Sequence, residues 1–195
     1  MKRVGLTGGI GCGKTTVLRE FQRLGIPTFS ADDVAKQYYE EPDFKASIRT
    51  DFGDKIISPD GSIDKKALAG LVFADSELLS RLNAIVHPRV LHDFEAFCER
   101  HSVRDYVVFE SAILYEHNLD RLVDCVICVY LDTEERISRL LVRDNTSREQ
   151  IEARINNQLP ADEVMSRADY VILNYEGNPR VRQVQYIHDQ IIKRK

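Results

Sequence analysis

Short apolar runs alternate with amphipathic segments along this chain. Five of the runs are predicted to be strands, at residues 4–7, 27–30, 106–110, 125–131 and 170–173. Most lack strict alternation, which is typical of parallel strands that are covered on both faces. Helical periodicity predicts helices at residues 15–24, 133–142, 147–158 and from about 179 onward. This order of elements predicts a doubly wound α/β fold with a five-stranded parallel sheet flanked by helices.

Residues 31–104 interrupt the alternation between the second and third strands. The stretch is too long for one crossover and contains several helical segments, including residues 68–73 and 78–86. We therefore predict a mostly helical domain inserted into the core. Within it, His87-Pro88 interrupts a helical pattern and predicts a kink or a helix end.

Composition and charge exclude several function classes. The net charge of −4 argues against a mainly nucleic-acid-binding role, which usually carries a basic excess. No apolar run approaches the ~20 residues of a membrane helix, and the first residues lead into a strand instead of an apolar signal segment. We expect a cytoplasmic protein with no nucleic-acid, membrane or obligate protein partner. Cys125 and Cys128 lie in an apolar predicted strand, so we interpret them as core residues on opposite faces.

The strongest chemical signal is a glycine-rich segment between the first strand and the first helix. It matches G-x-x-x-x-G-K-[ST] and comprises Gly8, Gly9, Ile10, Gly11, Cys12, Gly13, Lys14 and Thr15, followed by Thr16. Glycines allow successive N–H groups to curl around an anion at the positive end of the next helix. Lys14 is expected to reach the β- and γ-phosphates, and the Thr15 hydroxyl to bind Mg²⁺. The segment predicts binding of ATP and Mg²⁺ and phosphoryl transfer to a small molecule.

Acidic residues follow the second and third predicted strands. Asp32 and Asp33 come after the second strand, where ligands of open α/β sheets collect. Ser30 and Asp33 have capping-box spacing, which explains Asp33 and leaves Asp32 as the candidate for chemistry. Asp32 is predicted to orient or deprotonate the acceptor hydroxyl, or to hold a magnesium-bound water. Glu110 ends the third strand and is either a Walker B-like magnesium ligand or a solvent-facing acid.

An arginine stripe follows the fourth strand, on the helix predicted at residues 133–142. Thr133 is predicted as its N-cap, and Asp132, at the end of the fourth strand, is predicted to help cap a helix. Arg136, Arg139 and Arg143 are spaced three and four apart and share one side of this helix. Such a stripe is usually a solvated face. Transfer of a phosphoryl group requires cations, however, so we predict that Arg139 and Arg143 belong to a lid.

Together these residues resemble the dephospho-coenzyme A kinases, a family of P-loop kinases. The resemblance covers nearly the whole chain, and its motifs are residues 5–15, Ala31-Asp32, Asp60-Gly61, His87-Pro88, Arg143-Asp144 and residues 168–174. It implies a nucleotide-binding core at residues 1–30, 105–135 and 159–195, a helical acceptor-binding domain at 31–104 and a lid at 136–158. The implied reaction uses ATP and Mg²⁺ to phosphorylate the 3′-hydroxyl of dephospho-coenzyme A, which is the last step of coenzyme A biosynthesis.

The resemblance also implies roles for single residues. Asp32 matches the catalytic acid, Asn174 is a candidate adenine contact, and His87 and Glu110 are candidates for the acceptor site. The chain departs from the family pattern at three places: Ser30 replaces an acid, residues 110–114 lack a proline and begin with Glu instead of Asp, and Cys12 and Thr15 replace serines.

Two other functions share part of this pattern. A kinase for another small acceptor, such as a nucleoside monophosphate, would have the same loop, and this alternative stays open. The inserted domain and His87-Pro88 favour the first interpretation. A GTPase-like switch would carry Asp-x-x-Gly and Asn-Lys-x-Asp motifs, and neither occurs in the sequence.

Overall fold

A computed structural model describes residues 1–193, without the side chains of Phe73, Ala74 and Ser76. Residues 194 and 195 of the predicted last helix lie outside it. The chain divides into two compact units, one formed by Met1–Ser30 with Arg100–Lys195 and the other by Ala31–Glu99. None of the described helices is long and apolar enough to cross a membrane.

A five-stranded parallel sheet forms the centre of the first unit. Its strands are β1 (Lys2–Thr7), β2 (Thr28–Ser30), β3 (Tyr106–Glu110), β4 (Cys125–Tyr130) and β5 (Tyr170–Leu173). They lie in the order β2-β3-β1-β4-β5, so the predicted parallel sheet is confirmed. Strand β1 pairs with β3 on one side and with β4 on the other, so it is the central strand. The loop that follows its carboxyl end therefore lies at the middle of the sheet edge at which ligands of such sheets bind.

Nine helices are described. They are α1 (Lys14–Arg23), α2 (Ala31–Tyr38), α3 (Pro42–Phe52), α4 (Lys65–Ala74), α5 (Ser76–Arg100), α6 (Thr133–Asp144), α7 (Arg148–Asn156), α8 (Ala161–Arg167) and α9 (Arg180–Lys193). Helix α7 is capped by Ser147, whose side chain accepts from the Gln150 N–H. The predicted capping role of Asp132 is confirmed, since its carboxylate accepts from the Glu135 N–H at the start of α6. The N-cap predicted at Thr133 is wrong by one residue, because Thr133 is the first helical residue.

The helix end predicted as one alternative at His87-Pro88 does not occur, because α5 continues through both residues, and the alternative of a kink stays a prediction. Proline removes one backbone donor from a helix and usually bends or ends it. Here the residues beyond Pro88 include Val90 and Phe94, which are buried. Their burial offsets the lost hydrogen bond and keeps the chain helical.

Apolar packing against one face of the sheet fixes the two ends of the glycine-rich segment. Val4 and Leu6 of β1 are fully buried in one cluster with Val17 and Phe21 of α1. Burial of each such side chain contributes about 1.5–3 kcal/mol. The same cluster takes in three residues of α9, which are Val184, Ile187 and Ile191. The strand before the loop and the helix after it are therefore anchored in the same core.

The cysteines form no disulfide. All four are free, and Cys128 is buried within β4 while Cys125 is partly buried. Burial raises the pKa of the Cys128 thiol to about 12, so this thiol is neutral and unreactive near pH 7. These observations agree with the prediction of core cysteines.

The second unit is helical and has its own core. Buried Phe44 of α3 lies against Tyr38 of α2. The guanidinium of Arg89 lies over the Phe44 ring, 5.3 Å from its centroid, and pairs with Glu41 and Asp43. The Tyr38 hydroxyl donates to a carboxylate of α5 at 2.7 Å. Aromatic packing and these polar contacts tie α2 and α3 to α5.

Candidate active site

The loop between β1 and α1 needs glycine for backbone and packing reasons. Gly8, Gly11 and Gly13 have φ angles of 141°, 81° and 94°, which other L-residues rarely adopt. A Cβ on Gly13 would lie 2.2 Å from Nδ2 of Asn174, and one on Gly8 would lie 2.3 Å from the Val129 carbonyl oxygen. The surrounding structure therefore leaves no space for side chains at Gly8 and Gly13.

Side chains from other elements bind the carbonyl groups of the loop. Arg136 Nε donates to the Ile10 carbonyl at 2.8 Å, and Asn174 Nδ2 donates to the Cys12 carbonyl at 2.7 Å. In a planar trans peptide the next N–H points away from the carbonyl. The N–H groups of Gly11 and Gly13 are thus turned away from Arg136 and Asn174, and within residues 1–193 they bind no acceptor. This arrangement leaves donors available for an anion.

Lys14 lies across the loop, as the motif requires. Its Nζ donates to the carbonyls of Gly8 and Gly9 at 2.8 and 3.4 Å. Thr15 is exposed in the first turn of α1, whereas the Thr16 N–H is used by the Gly13 carbonyl at 3.0 Å. Lys14 and Thr15 directly follow Gly13, whose N–H is one of the donors that an anion would meet.

The predicted arginine stripe separates into three different environments. Arg136 is only 3% exposed and contacts the loop. Arg139 donates to the Glu135 carboxylate and to the Asn174 carbonyl, both at 3.1 Å. Arg143 forms two hydrogen bonds with the Asp144 carboxylate, at 2.6 and 3.1 Å, and is exposed.

Arg136 is therefore the arginine of the stripe whose side chain touches the loop, although sequence reasoning favoured the other two. One signal could have identified it: it is the arginine nearest to the end of β4, in the first turn of α6. A side chain at that point lies at the same sheet edge as the loop.

Asn174 connects the loop to the residues that follow β5. Its side chain is buried, and its Oδ1 accepts from Arg180 at 3.1 Å while Nδ2 binds the Cys12 carbonyl. The side-chain amide is thus engaged at both ends. The predicted adenine contact stays a prediction, and the contact described here is with the loop itself.

Glu110 is buried at the end of β3, with 6% of its surface exposed. Its Oε2 accepts a hydrogen bond from the Ser30 hydroxyl at 2.8 Å, and in the sheet register it lies beside Leu6 of β1. Burial removes the alternative of a solvent-facing acid. Its predicted contacts with magnesium and with the acceptor stay predictions.

Asp32 and His87 belong to the second unit. Asp32 is exposed in the first turn of α2 and makes no hydrogen bond or ion pair among the described residues of this unit. Its neighbour Asp33 pairs with Lys36 at 2.7 Å. His87 is half-buried in α5. The carboxylate of Asp32 is thus less engaged than that of Asp33, and its catalytic role stays a prediction.

The residues near the loop fit a magnesium ion that arrives with a nucleotide. Within residues 1–193 no three His, Cys, Asp or Glu side chains cluster as a metal site. Nucleotide-bound Mg²⁺ usually takes only one or two protein ligands, and phosphates and waters supply the others. The exposed Thr15 hydroxyl fits that role.

The central loop, its lysine and the parallel sheet together define a P-loop kinase fold. A solved structure from Thermus thermophilus, titled TT1252, has a TM-score of 0.88 and 29% identity, covering 97% of this chain and 96% of that one. Shikimate kinase from Acinetobacter baumannii, solved with shikimate, has a TM-score of 0.53 and 18% identity, which shows the fold alone.

The chain belongs to the dephospho-CoA kinase family, because the model of that family matches residues 2–179. It is 40% identical to the dephospho-CoA kinase of Geobacter sulfurreducens and 38% identical to that of Listeria innocua. The alignments cover 92% of both chains in the first case and 90% in the second. The predicted family and the predicted enzyme class are confirmed.

Proposed function

We propose that the protein transfers the γ-phosphoryl group of ATP to the 3′-hydroxyl of dephospho-coenzyme A, giving coenzyme A and ADP. The observation that carries the proposal is the loop of residues 8–15, whose donors are available for phosphates, in a member of the dephospho-CoA kinase family. In P-loop enzymes the loop backbone, a lysine and Mg²⁺ hold the phosphates and neutralise the charge that moves between them.

Residues of the first unit would bind and orient ATP. The N–H groups of Gly11 and Gly13 would donate to phosphate oxygens, and the Lys14 ammonium would exchange its carbonyl contacts for the β- and γ-phosphates. The Thr15 hydroxyl would hold Mg²⁺, which when bound supplies further positive charge beside the phosphates. Donors already fixed in place need little rearrangement as charge develops.

Asp32 is the proposed acid for the acceptor. It would orient or deprotonate the 3′-hydroxyl, a role that typically contributes about 10²–10⁴-fold. The transition state of phosphoryl transfer is loose, so orientation contributes as well as proton removal. The alternative role, holding a magnesium-bound water, stays open. His87 and Glu110 remain candidates for contacts in the acceptor site.

The segment 136–158 is proposed as a lid that closes over ATP. Arg139 and Arg143 would then exchange their partners Glu135 and Asp144 for the transferring phosphoryl group. Closure would exclude water from the reaction. Asn174 would lie near the adenine while its side chain supports the loop.

The acceptor is tested by measuring ADP release with a panel of dephospho-coenzyme A, AMP, CMP and shikimate. We expect turnover with dephospho-coenzyme A and little with the others. Faster turnover of a nucleoside monophosphate would favour the alternative acceptor and leave the kinase assignment in place. Absence of turnover with every acceptor would contradict the proposal.

Asp32→Asn and Asp33→Asn form a matched pair for the catalytic acid. Both remove one charge from the same turn of α2, and Asp33 is the one that already pairs with Lys36. We expect Asp32→Asn to lower kcat by about 10²–10⁴-fold with little change in ATP affinity. Asp33→Asn should cost only modest stability. The reverse ranking would assign the chemistry to Asp33.

A further inference from the structure

Arg136 is a buried cation without a carboxylate partner. Only 3% of its surface is exposed, and within residues 1–193 no Asp or Glu oxygen lies within ion-pair distance of its guanidinium. Buried charges in proteins are nearly always paired. Its neighbours on α6 are more exposed and yet are paired, Arg139 with Glu135 and Arg143 with Asp144.

Three titratable groups face Arg136, and none of them is a carboxylate. They are Cys12 of the loop with Cys128 and Tyr130 of β4. The pKa of Cys128 is about 12 and that of Tyr130 is raised, so these two are neutral near pH 7. Burial lowers the pKa of Arg136 from its ordinary value. The charge lacks a carboxylate counterion in this part of the protein.

The guanidinium lies directly against the loop at Gly9. A Cβ on Gly9 would be 2.4 Å from Nη2, 2.5 Å from Cζ and 2.8 Å from Nη1 of Arg136. Gly9 is not among the glycines with positive φ, so its backbone would accept another residue. The reason for glycine at position 9 is therefore the space that the guanidinium occupies.

The hydrogen bond from Nε connects this charge to the anion-binding face. Nε donates to the Ile10 carbonyl, and the following N–H of Gly11 points the opposite way. Arg136 therefore sets the orientation of one peptide of the loop and also adds positive potential beside it. Both effects favour binding of a phosphate on the side of the loop to which the Gly11 N–H points.

We propose that Arg136 is a positioning residue for the phosphate loop and that the phosphates of the bound nucleotide balance its charge. The proposal rests on nucleotide binding by this loop, which is part of the proposed function. The competing explanation is purely structural: Arg136 would join α6 to the loop and stabilise the fold whether or not nucleotide is bound.

The two explanations predict different effects of Arg136→Gln. ADP binding is measured by calorimetry, and melting temperature is measured with and without ADP. Loss of one charge-assisted contact should weaken ADP binding about 10- to 100-fold. The melting temperature without ADP should change little or rise, because an unpaired buried charge is removed. The increase in melting temperature on adding ADP should shrink.

Arg104→Gln is the matched control, because Arg104 is an exposed arginine of the same unit. It should leave ADP affinity unchanged. Arg136→Lys keeps the charge without the planar guanidinium and should bind ADP with intermediate affinity. It also tests the proposal if Arg136→Gln does not fold.

A double-mutant cycle with Gly9→Ala tests the contact itself. Gly9→Ala should displace the guanidinium and weaken ADP binding, and it should add little when Arg136 is already Gln. Additive losses would contradict the assigned contact.

The possible failures are distinguishable. If the wild-type protein did not bind ADP, nucleotide binding itself would be refuted. If wild type and Arg136→Gln bound ADP equally, only the inference about Arg136 would be wrong. A large loss of melting temperature without ADP, combined with unchanged affinity of the folded variant, would establish the structural explanation.

Discussion

The phosphate loop and the helix pair α6–α7 both carry the polar groups of a phosphate site, but they are held in different ways. Loop carbonyls bind the buried side chains of Arg136 and Asn174. The polar residues of α6 and α7 are mostly exposed and pair with one another, as Arg148 does with Glu134 and Glu152.

The two regions also differ in the apolar packing that supports them, which is more extensive beside the loop than between α6 and α7. The strand and helix beside the loop share the large core of the first unit. A smaller cluster lies between α6 and α7, with buried Ile137, Leu140 and Ile151. Exposed ion pairs contribute little stability, so this pair of helices is held together chiefly by that cluster, which partly buried Ile10 and Ile155 join. The loop is therefore held by buried contacts, including that of Arg136 at the start of α6, whereas the rest of α6 and α7 has the sparser support that is typical of segments that rearrange.

The largest expected effect is a loss of turnover, and it concerns Lys14 of the phosphate loop. Lys14→Ala should lower turnover by about 10²–10³-fold or more, because water cannot replace a charge held in a fixed geometry. The melting temperature should be nearly unchanged, since Lys14 is only partly buried. ADP release and calorimetry measure the two quantities, and Lys66→Ala is the control at an exposed lysine. Activity near the wild-type level would show that chemistry does not occur at this loop.

A smaller loss is expected for Asn174→Ala. The change leaves the Cys12 carbonyl without its buried donor, which typically costs about 1–3 kcal/mol. Binding of ADP should weaken about tenfold. Pyrophosphate, which lacks adenine, provides the decisive comparison. If Asn174 supports the loop, both ligands bind more weakly; if it acts only on adenine, pyrophosphate binding stays unchanged.

Much of the fold could be predicted because parallel strands and amphipathic helices leave strong local patterns. All five strands were located within two residues of their ends. The errors concern competing local signals. Thr133 and Asp132 are both good caps, and the choice depends on which oxygen reaches the N–H of Glu135. At Pro88 the local signal predicts a kink or a helix end, and the helix continues through it to buried Val90 and Phe94.

The candidate site was predictable where a motif is contiguous and less so where tertiary packing selects among equivalent residues. Lys14 and Thr15 follow from the loop pattern alone. Spacing places Arg136, Arg139 and Arg143 on one stripe, and only packing against Gly9 distinguishes the first of them. The contact between Asn174 and Cys12 joins residues 162 positions apart, so no local pattern contains it.

A moderate effect is expected on the rate of amide hydrogen exchange, which should distinguish the phosphate loop from α6–α7. When an analogue that bridges both substrates is bound, exchange within residues 136–158 should slow several-fold if this segment closes as a lid. The loop is already fixed by Arg136 and Asn174, so its protection should rise less. Helix α9, packed in the large core, should be unchanged and serves as the internal control. Equal protection of loop and helices would remove the contrast between them, and unchanged exchange in 136–158 would leave the arginines as a solvated surface.

The smallest effect concerns the ion pairs of α6–α7. Asp144 accepts from Arg143 and from Arg154, which joins the end of α6 to α7. Arg143, and to a lesser degree Arg154, holds the pKa of the Asp144 carboxyl at about 2. The pKa of an unperturbed Asp is about 3.9. Because the folded-state pKa is the lower one, the stabilisation is present above about pH 4 and is lost as pH falls toward about 2.

Asp144→Asn should therefore lower the melting temperature by about 1–4 °C at pH 7, the range expected of two pairs that solvent partly screens. The difference between wild type and variant should shrink as pH falls from about 5 to about 2, because wild-type Asp144 then also loses its charge. Glu176→Gln, at an exposed acid after β5, should leave the melting temperature nearly constant. A difference at pH 7 that persisted unchanged at pH 2 would mean that the shape of the side chain and not its charge stabilises this junction. No difference at any pH would mean that the ion pairs of Asp144 contribute no measurable stability, so that the apolar cluster of Ile137, Leu140 and Ile151 and the exposed Arg148–Glu134 pair hold α6 against α7.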